Sequence, residues 1–258
     1  MRVQELFDLS GKVAIVTGGA TGLGRQIAGA LAECGADIVV CARNAERCEA
    51  AAAELELLGV RALGLGCDVR DPASVEAVVR RTVETLGRVD ILVNNAGTSW
   101  GAAPEDVPLA GWQKVIDVNL TGAFLFAQAA GREMLKREYG RIINIASIAG
   151  LHSSVRGPHY APYAASKAAL IGLTRELAAS WGRRNIRVNA IAPGFFHSRM
   201  ADPVLPLAEP AIRDSSPIPR IGAEGELKGV CVFLASDASN YITGQTIVVD
   251  GGRTIAGG

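Results

Sequence analysis

The sequence lacks the features that direct a protein to a charged partner. Its 258 residues carry 26 lysines and arginines against 26 aspartates and glutamates, so the formal net charge at pH 7 is zero. A chain without net charge has no overall field to attract nucleic acid or an anionic membrane surface. We therefore expect the partner to be a small molecule, with no nucleic acid and no membrane involved.

Cysteine pairs and long apolar runs are also missing. The five cysteines form no CxxC pair and lie mostly in apolar stretches, as small core residues do. No segment is apolar over the length that a membrane helix requires, and the first residues, MRVQELFDLSGK, lack the apolar centre of a signal peptide. These absences favour a reducing, cytoplasmic setting.

Aromatic residues make up only 5% of a chain that is 49% hydrophobic, which predicts a core of small aliphatic side chains. Short β-branched runs alternate with alanine-rich amphipathic stretches such as LGRQIAGALAECG from Leu23 and NAERCEAAAAELELLG from Asn44. This alternation is typical of βαβ units around a parallel sheet. Seven strands are predicted: KVAIVTG from Lys12, DIVVCA from Asp37, ALGLGCDV from Ala62, VDILVNNAG from Val89, RIINIAS from Arg141, IRVNAIAPG from Ile186 and QTIVVDGG from Gln245.

The one long irregular stretch runs from Phe195 to Arg220, and the other connections are short. We therefore predict a single α/β domain over residues 1–258 with a substrate loop at about residues 195–220.

A glycine-rich turn, TGGATGLG, follows the first strand and leads directly into a helix. Glycines at 18, 22 and 24 allow a tight turn and a close approach to a pyrophosphate, while the helix N-terminus supplies N–H donors and a favourable dipole. The pattern predicts a dinucleotide site. A turn that serves packing alone is the other interpretation.

Two further strand ends carry candidate cofactor residues. If the sheet is doubly wound, the third strand ends beside the adenine, where Asp68 and Val69 would bond and pack. Asp68 could instead cap the segment that starts at Arg70. The fourth strand ends in Asn94, Asn95, Ala96 and Gly97, at the position of the crevice, although this could also be an ordinary polar turn.

Tyr163 and Lys167 lie four residues apart in YAASKAALIGLTRELAASW, a strongly helical stretch, so both side chains leave one helical face. An ammonium near a phenol favours the phenolate, which lowers a phenol pKa that is ordinarily about 10. Such a tyrosine can exchange protons with an alcohol. The same spacing also occurs on solvated helix faces that have no catalytic role.

The motifs TGGATGLG, NNAG, Ser147 at the end of the fifth strand, YAASK and APG occur in this order. Together they resemble the short-chain dehydrogenase/reductase family, and the match spans nearly the whole chain. The resemblance implies a single-domain, doubly wound Rossmann fold with a seven-stranded parallel sheet flanked by helices. It also implies hydride transfer between a nicotinamide cofactor and a ketone or secondary alcohol, without a metal, in a homo-oligomer that is usually a tetramer.

The resemblance assigns four catalytic roles. Tyr163 would act as general acid in reduction and as general base in oxidation. Ser147 would bond the substrate oxygen, Lys167 would hold the nicotinamide ribose and lower the Tyr163 pKa, and Asn119 would complete a proton relay. From the residues alone, Ser147 could be a strand-end cap and Asn119 a helix residue bonded to backbone.

The resemblance also implies where a cofactor would bind. Asn95 would lie by the adenosine ribose, with Ala96 and Gly97 beside it, and Tyr163 and Lys167 would reach the nicotinamide half. Pro193 and Gly194 would border the nicotinamide. The pyrophosphate turn would consist of Gly18, Thr21, Gly22, Leu23 and Gly24.

The end of the second strand favours NADP, with NAD possible. NAD-dependent members commonly carry an acidic residue where this chain has Ala42, and the following Arg43 could bond a 2′-phosphate. Against this, the basic residue that some NADP-dependent members carry inside the glycine turn is replaced by Thr21.

One departure from the family pattern enlarges the expected substrate mouth. The family usually places its serine and tyrosine about a dozen residues apart, whereas Ser147 and Tyr163 are sixteen apart. Tyr160 competes for the catalytic role, but Ala164, four residues later, offers it no lysine. Three polar residues of this insert could contact the substrate, or they could contact nothing but water: His152, Arg156 and His159.

The segment APGFF with HSRM is similar to members that act on sugar acids, notably gluconate 5-dehydrogenases, so the substrate could be a sugar acid such as 5-ketogluconate. Arg199 could pair with its carboxylate or be an ordinary surface arginine. The alternatives are a 3-oxoacyl thioester reductase and a non-catalytic dinucleotide-binding regulator, although no catalytic residue is lost. A dehydratase or epimerase would usually need a further substrate domain, for which we expect no room.

Overall fold

The fold is a parallel sheet with helices on both faces. The computed structural model describes residues 2–153, 159–198, 201–202 and 205–256. All seven predicted strands are present, and each pair of neighbours is parallel, in the order β3-β2-β1-β4-β5-β6-β7. The strands are β1 (Val13–Thr17), β2 (Asp37–Ala42), β3 (Ala62–Gly66), β4 (Ile91–Asn94), β5 (Gly140–Ile145), β6 (Ile186–Pro193) and β7 (Thr246–Val249).

Eight α-helices of the described chain cover the two faces of the sheet. They are α1 (Gly22–Glu33), α2 (Ala45–Glu56), α3 (Pro72–Leu86), α4 (Leu109–Ile116), α5 (Gly122–Arg137), α6 (Ala161–Trp181), α7 (Leu205–Ser215) and α8 (Lys228–Ala235). Successive β1 side chains point to opposite faces, so Ala14 packs with α1 and α8 whereas Ile15 packs with α3, α5 and α6. This explains why the strands are apolar throughout rather than alternating.

The prediction of an irregular stretch from Phe195 to Arg220 is wrong in its middle, because α7 lies there. Leu205 and Ile212, seven residues apart, are 4% and 3% exposed, so one side of this helix is buried. Pro210 stands inside the helix, where a proline removes one backbone hydrogen bond. Burial of the apolar side outweighs that loss, and propensity alone could not predict this.

The strand order reverses between β1 and β4, which places the open crevice of the molecule at their carboxyl ends. All five cysteines are free thiols, and four of them are buried. No helix among the described residues is long and apolar enough to span a bilayer.

Candidate active site

The glycine turn lies at the carboxyl end of β1 and is packed tightly on itself. A Cβ at Gly24 would lie 2.3 Å from the Gly18 carbonyl oxygen, and a Cβ at Gly18 would lie 2.9 Å from Nδ2 of Asn95. Gly18 and Gly22 have φ of +65° and +54°, in the left-handed region. A Cβ at Gly22 would meet only Ser198, at 3.8 Å, so packing alone explains Gly18 and Gly24 but not Gly22.

The N-terminus of α1 differs from those of α2 and α3. Asn44 accepts a bond from the Arg47 N–H at 2.8 Å, and Asp71 caps α3, whereas Thr21 makes no side-chain cap bond to α1. The first N–H groups of a helix need acceptors. An anionic group seated on α1 would provide them, and the tight turn beside them leaves room for a pyrophosphate to approach.

Asn95 joins the ends of β1 and β4. Its Nδ2 donates to the carbonyl oxygens of Thr17, at 2.9 Å, and Gly18, at 3.2 Å. In return, Oγ1 of Thr17 accepts the N–H groups of Asn95 and Ala96, each at 3.0 Å. The Asn95 amide therefore holds the glycine turn in place, and its contact with a ribose stays a prediction.

The third strand is followed by a group of alternating charges. Oδ1 of Asp68 accepts the Arg70 backbone N–H at 3.0 Å, as the capping interpretation predicts, and the carboxylate also binds the Arg70 guanidinium at 2.6 Å. These bonds, with a smaller contribution from Arg43, lower the pKa of Asp68 to about 2. Arg43 is exposed, and Val69 is buried against Gly122.

Tyr163 and Lys167 share one face of α6, as predicted. Nζ of Lys167 lies 5.6 Å from the centroid of the Tyr163 ring and donates to the Ile145 carbonyl at 2.7 Å. The lysine is only 4% exposed, and burial lowers its pKa from 10.5 to about 8. The Lys167 ammonium is thus held next to the Tyr163 phenol, and the pKa of the lysine is close to physiological pH.

Ser147 lies between β5 and α6, in contact with both. Its Oγ accepts the Ala149 N–H at 3.1 Å, so the predicted strand-end cap is present. The same hydroxyl lies close enough to Tyr163 to lower the pKa of that phenol. A Cβ at Gly150 would lie 2.7 Å from the Lys167 backbone, so the turn after Ser147 sits directly on α6. Ser147, Tyr163 and Lys167 therefore form one group.

The expected depression of the Tyr163 pKa is not found. Burial raises the pKa of this phenol above its ordinary value of 10, and the Ser147 hydroxyl lowers it by less. The Lys167 ammonium lies 5.6 Å from the ring centroid and does not reverse this direction. The phenol in this structure is a proton donor rather than a phenolate.

Asn119 lies in a short π-helical turn, Asp117–Thr121, between α4 and α5, a feature that often marks functional sites. Its Oδ1 accepts the Thr98 N–H at 2.8 Å, and its Nδ2 donates to the Thr98 carbonyl and to Oγ of Ser166, both at 2.9 Å. Ser166 in turn donates to the Tyr163 carbonyl at 2.7 Å. The predicted bond of Asn119 to backbone is therefore present as well.

Ser166 is the residue of this network that sequence reasoning missed. It is fully buried and links Asn119 to the first turn of α6. Its position three residues after Tyr163, on the same side of the helix, is the signal that could have identified it. The side chain thus holds Asn119 and Tyr163 in fixed relative positions.

Gly97, Pro193 and Gly194 complete the floor of the crevice. A Cβ at Gly97 would lie 3.6 Å from Oδ1 of Asn119 and 3.8 Å from Nζ of Lys167. The N–H of Gly194 bonds the Val249 carbonyl at 2.9 Å, and a Cβ there would lie 2.8 Å from Asp250. The structure thus brings the predicted nicotinamide residues and the catalytic group to one edge of the sheet.

Tyr160 lies beside Tyr163, with the ring centroids 6.2 Å apart in an edge-to-face arrangement. Burial raises the pKa of Tyr160. No described lysine lies over its ring, whereas Lys167 lies over that of Tyr163. His152 and His159 are exposed, and Arg156 and Arg199 lie outside the described residues.

Comparisons with known proteins cover nearly the whole chain. Residues 18–254 match a family model described as enoyl-(acyl carrier protein) reductase. A 3-oxoacyl-[acyl-carrier-protein] reductase of rhamnolipid biosynthesis from Pseudomonas aeruginosa is 42% identical over 257 residues, covering 95% of this chain and 97% of the relative. Gluconate 5-dehydrogenase from Gluconobacter oxydans is 37% identical over 256 residues, covering 98% of each.

Among solved structures, a gluconate 5-dehydrogenase from Burkholderia cenocepacia in complex with NADP and tartrate superimposes with a TM-score of 0.94 at 37% identity, covering 99% of this chain and all of that one. The two folds therefore agree over their whole length.

Proposed function

The chain belongs to the short-chain dehydrogenase/reductase family, and from that premise we propose that it is an oxidoreductase interconverting a ketone and a secondary alcohol with NADP, using Tyr163 for proton transfer. The observation that carries the proposal is the proximity of three side chains: Tyr163 lies beside Ser147 and is flanked by Lys167. Because the group is intact, the non-catalytic regulator is the weaker reading.

The proton chemistry follows from this group. In reduction, the Tyr163 hydroxyl donates its proton to the carbonyl oxygen of the substrate, and the Ser147 hydroxyl donates a hydrogen bond to the same oxygen. The Lys167 ammonium then stabilises the phenolate left behind. When bound, the nicotinamide supplies or accepts the hydride at the substrate carbon. In oxidation, the phenolate takes the proton back.

The described residues fit a dinucleotide. The glycine turn with Thr21 and Leu23 and the uncapped start of α1 would hold the pyrophosphate, and Asp68 and Val69 would border the adenine. The strand end Asn95, Ala96 and Gly97 would line the adenosine side. The nicotinamide would lie near Pro193, Gly194, Tyr163 and Lys167, and Asn119 would connect this end to a proton relay.

NADP is proposed over NAD because of Arg43. It is exposed at the end of β2, close enough to Asp68 to act on its pKa, while Asp68 is itself bound to Arg70. Ala42 offers no carboxylate to a ribose diol. A 2′-phosphate at this place would therefore meet a guanidinium and no uncompensated acidic group.

A sugar acid such as 5-ketogluconate is the proposed substrate class, taken at the substrate loop of residues 195–220. The relatives support it, since they include gluconate 5-dehydrogenases and one of these was solved with NADP and tartrate. A 3-oxoacyl thioester is the second candidate, favoured by the 42% identical reductase from Pseudomonas aeruginosa.

We also propose a cytoplasmic homotetramer whose subunits contact one another through the exposed apolar surface of α4 and α5. Leu109, Trp112 and Phe124 at α4 and α5 are 78%, 37% and 41% exposed, which is apolar surface that a second subunit would cover. Native mass spectrometry of the purified protein would give the number of subunits.

The function is tested with three proteins: wild type, Tyr163→Phe and, as matched control, Tyr160→Phe. Oxidation of NADPH and NADH is followed with 5-ketogluconate, cyclic ketones and oxoacyl thioesters. We expect wild type to reduce at least one ketone with NADPH, Tyr160→Phe to keep most of that activity, and Tyr163→Phe to lose it by about 10³-fold or more. Activity that survives in Tyr163→Phe but disappears in Tyr160→Phe would transfer the role to Tyr160.

A further inference from the structure

Residues 250–255, directly after β7, form a hydrogen-bonded turn. The Asp250 carboxylate accepts the N–H groups of Gly252 and Thr254, both at 2.8 Å, which starts a 3₁₀ turn at Arg253–Ile255. Gly251 and Gly252 have φ of +69° and +83°, which other residues rarely adopt. The conformation of Arg253 is therefore set by its neighbours.

This turn is also docked on the substrate loop. The N–H of Ile218 donates to the Gly251 carbonyl at 2.9 Å, and a Cβ at Gly252 would lie 2.8 Å from Cγ of Pro217. On the other side, a Cβ at Gly194 would lie 2.8 Å from Asp250. The turn thus stands between the end of β6, where the reaction is proposed, and residues 217–218.

The Arg253 side chain reaches the mouth of the crevice. Its guanidinium carbon lies 5.6 Å from the centroid of the Phe195 ring, and Nη1 donates to the Ala211 carbonyl of α7 at 3.3 Å. Phe195 lies two residues after the end of β6, so the guanidinium is held beside the strand end that borders the proposed reaction site. Burial raises the pKa of Tyr160, and the charge of Arg253 acts against this rise. Tyr160 stands edge-to-face to Tyr163. The side chain of Arg253 therefore lies at the end of β6, next to the proposed reaction site.

We propose that Arg253 binds the carboxylate of an anionic keto- or hydroxy-acid substrate whose reacting carbonyl lies at Tyr163. A guanidinium presents a planar fork of N–H donors that matches the two oxygens of a carboxylate. Stacking on Phe195 and the bond to Ala211 orient that fork before substrate arrives, which reduces the ordering needed on binding. The proposal rests on the proposed ketone reduction and names its substrate class.

The test compares acids with isosteric neutral amides. With NADPH, kcat/KM is measured for the oxo acids from 4-oxopentanoate to 7-oxooctanoate and for their primary amides, in wild type, Arg253→Gln and Arg253→Lys. Arg213→Gln is the matched control, because Arg213 lies on α7 and pairs only with Glu209 among the described ion pairs. In wild type, at least one acid is expected to exceed its amide.

Arg253→Gln is expected to lower the acid-to-amide ratio by roughly 10- to 100-fold, the usual effect of losing a charge-assisted bond, mainly through KM. Arg253→Lys should retain part of the preference, and Arg213→Gln all of it. If Arg253→Gln lowers kcat/KM equally for acids and amides, the role of Arg253 is only structural and the proposal is overturned. The proposal is also overturned if wild type reduces the amides, or a neutral oxoacyl thioester, as well as it reduces the acids. Failure to reduce any ketone would overturn the proposed function itself.

Discussion

The two sides of the crevice differ in the chemical groups that form them. The side formed by β1 and α1 consists of main chain and glycines. Its conformation requires that these positions carry no side chain, since a Cβ at Gly24 would lie 2.3 Å from a carbonyl oxygen. The side formed by β5, α6 and the π-helical turn between α4 and α5 consists of buried polar side chains: Asn119, Ser147, Ser166 and Lys167 are 1%, 9%, 0% and 4% exposed.

This difference predicts which property, cofactor affinity or turnover, a substitution on each side impairs. A glycine turn presents N–H groups, so its distortion weakens the binding of an anionic group. Buried polar atoms need partners, so removing one side chain leaves another unsatisfied and disturbs the chemistry at Tyr163. We therefore expect changes on the first side to lower cofactor affinity and changes on the second to lower turnover.

The largest effect is expected on the catalytic side, from Lys167→Met. The change removes the charge that stabilises the Tyr163 phenolate, so kcat should fall by about 10³-fold, within the range for loss of an acid–base group. Steady-state kinetics against wild type measure it. A loss smaller than tenfold would mean that Lys167 does not assist proton transfer.

The same substitution is expected to change how the stability of the unliganded fold depends on pH, because it removes the buried ammonium while leaving the Ile145 carbonyl without its donor at every pH. The lowering of the Lys167 pKa from 10.5 to about 8 corresponds to about 3 kcal/mol of cost for burying the ammonium. This cost is present below pH 8, where lysine is charged in both states, and vanishes as pH rises from 8 to 10.5. Urea unfolding should show the stability of Lys167→Met relative to wild type falling as pH rises from 8 toward 10.5. A relative stability that grows with pH would contradict this assignment.

A smaller effect, on affinity, is expected from Gly24→Ala on the opposite side. The new Cβ would collide with Gly18 and Asn95, so the turn must move, and affinity for NADPH should fall by about 100-fold through lost charge-assisted bonds. Gly29→Ala, in the same helix, is the control, since its Cβ would meet only Arg25, at 3.6 Å. Fluorescence titration with NADPH distinguishes them, and equal affinities would refute the steric account of the turn.

The smallest effect is expected from Arg43→Gln. Loss of this exposed guanidinium should reduce the preference for NADPH over NADH by about tenfold, chiefly by weakening NADPH. Arg47→Gln, one turn further along α2 and also exposed, should leave the ratio unchanged. The ratio of kcat/KM for the two cofactors measures the effect, and an unaltered ratio in Arg43→Gln would remove the argument for NADP.

Sequence periodicity predicted the parts of this structure that are set locally. The seven strands, the glycine turn and the shared face of Tyr163 and Lys167 follow from hydrophobic alternation and helical spacing. The rest depends on tertiary burial. Burial raises the pKa of Tyr163, α7 forms because Leu205 and Ile212 are buried, and no spacing rule places Arg253 over the Phe195 ring.

Tyr163→Phe should separate cofactor binding from proton transfer. The NADPH dissociation constant and kcat are measured on the same preparation. We expect a dissociation constant within about tenfold of wild type, allowing for one lost neutral hydrogen bond, and a kcat lower by about 10³-fold. A kcat that is nearly unchanged, or a loss of NADPH affinity as large as the loss of turnover, would contradict this separation.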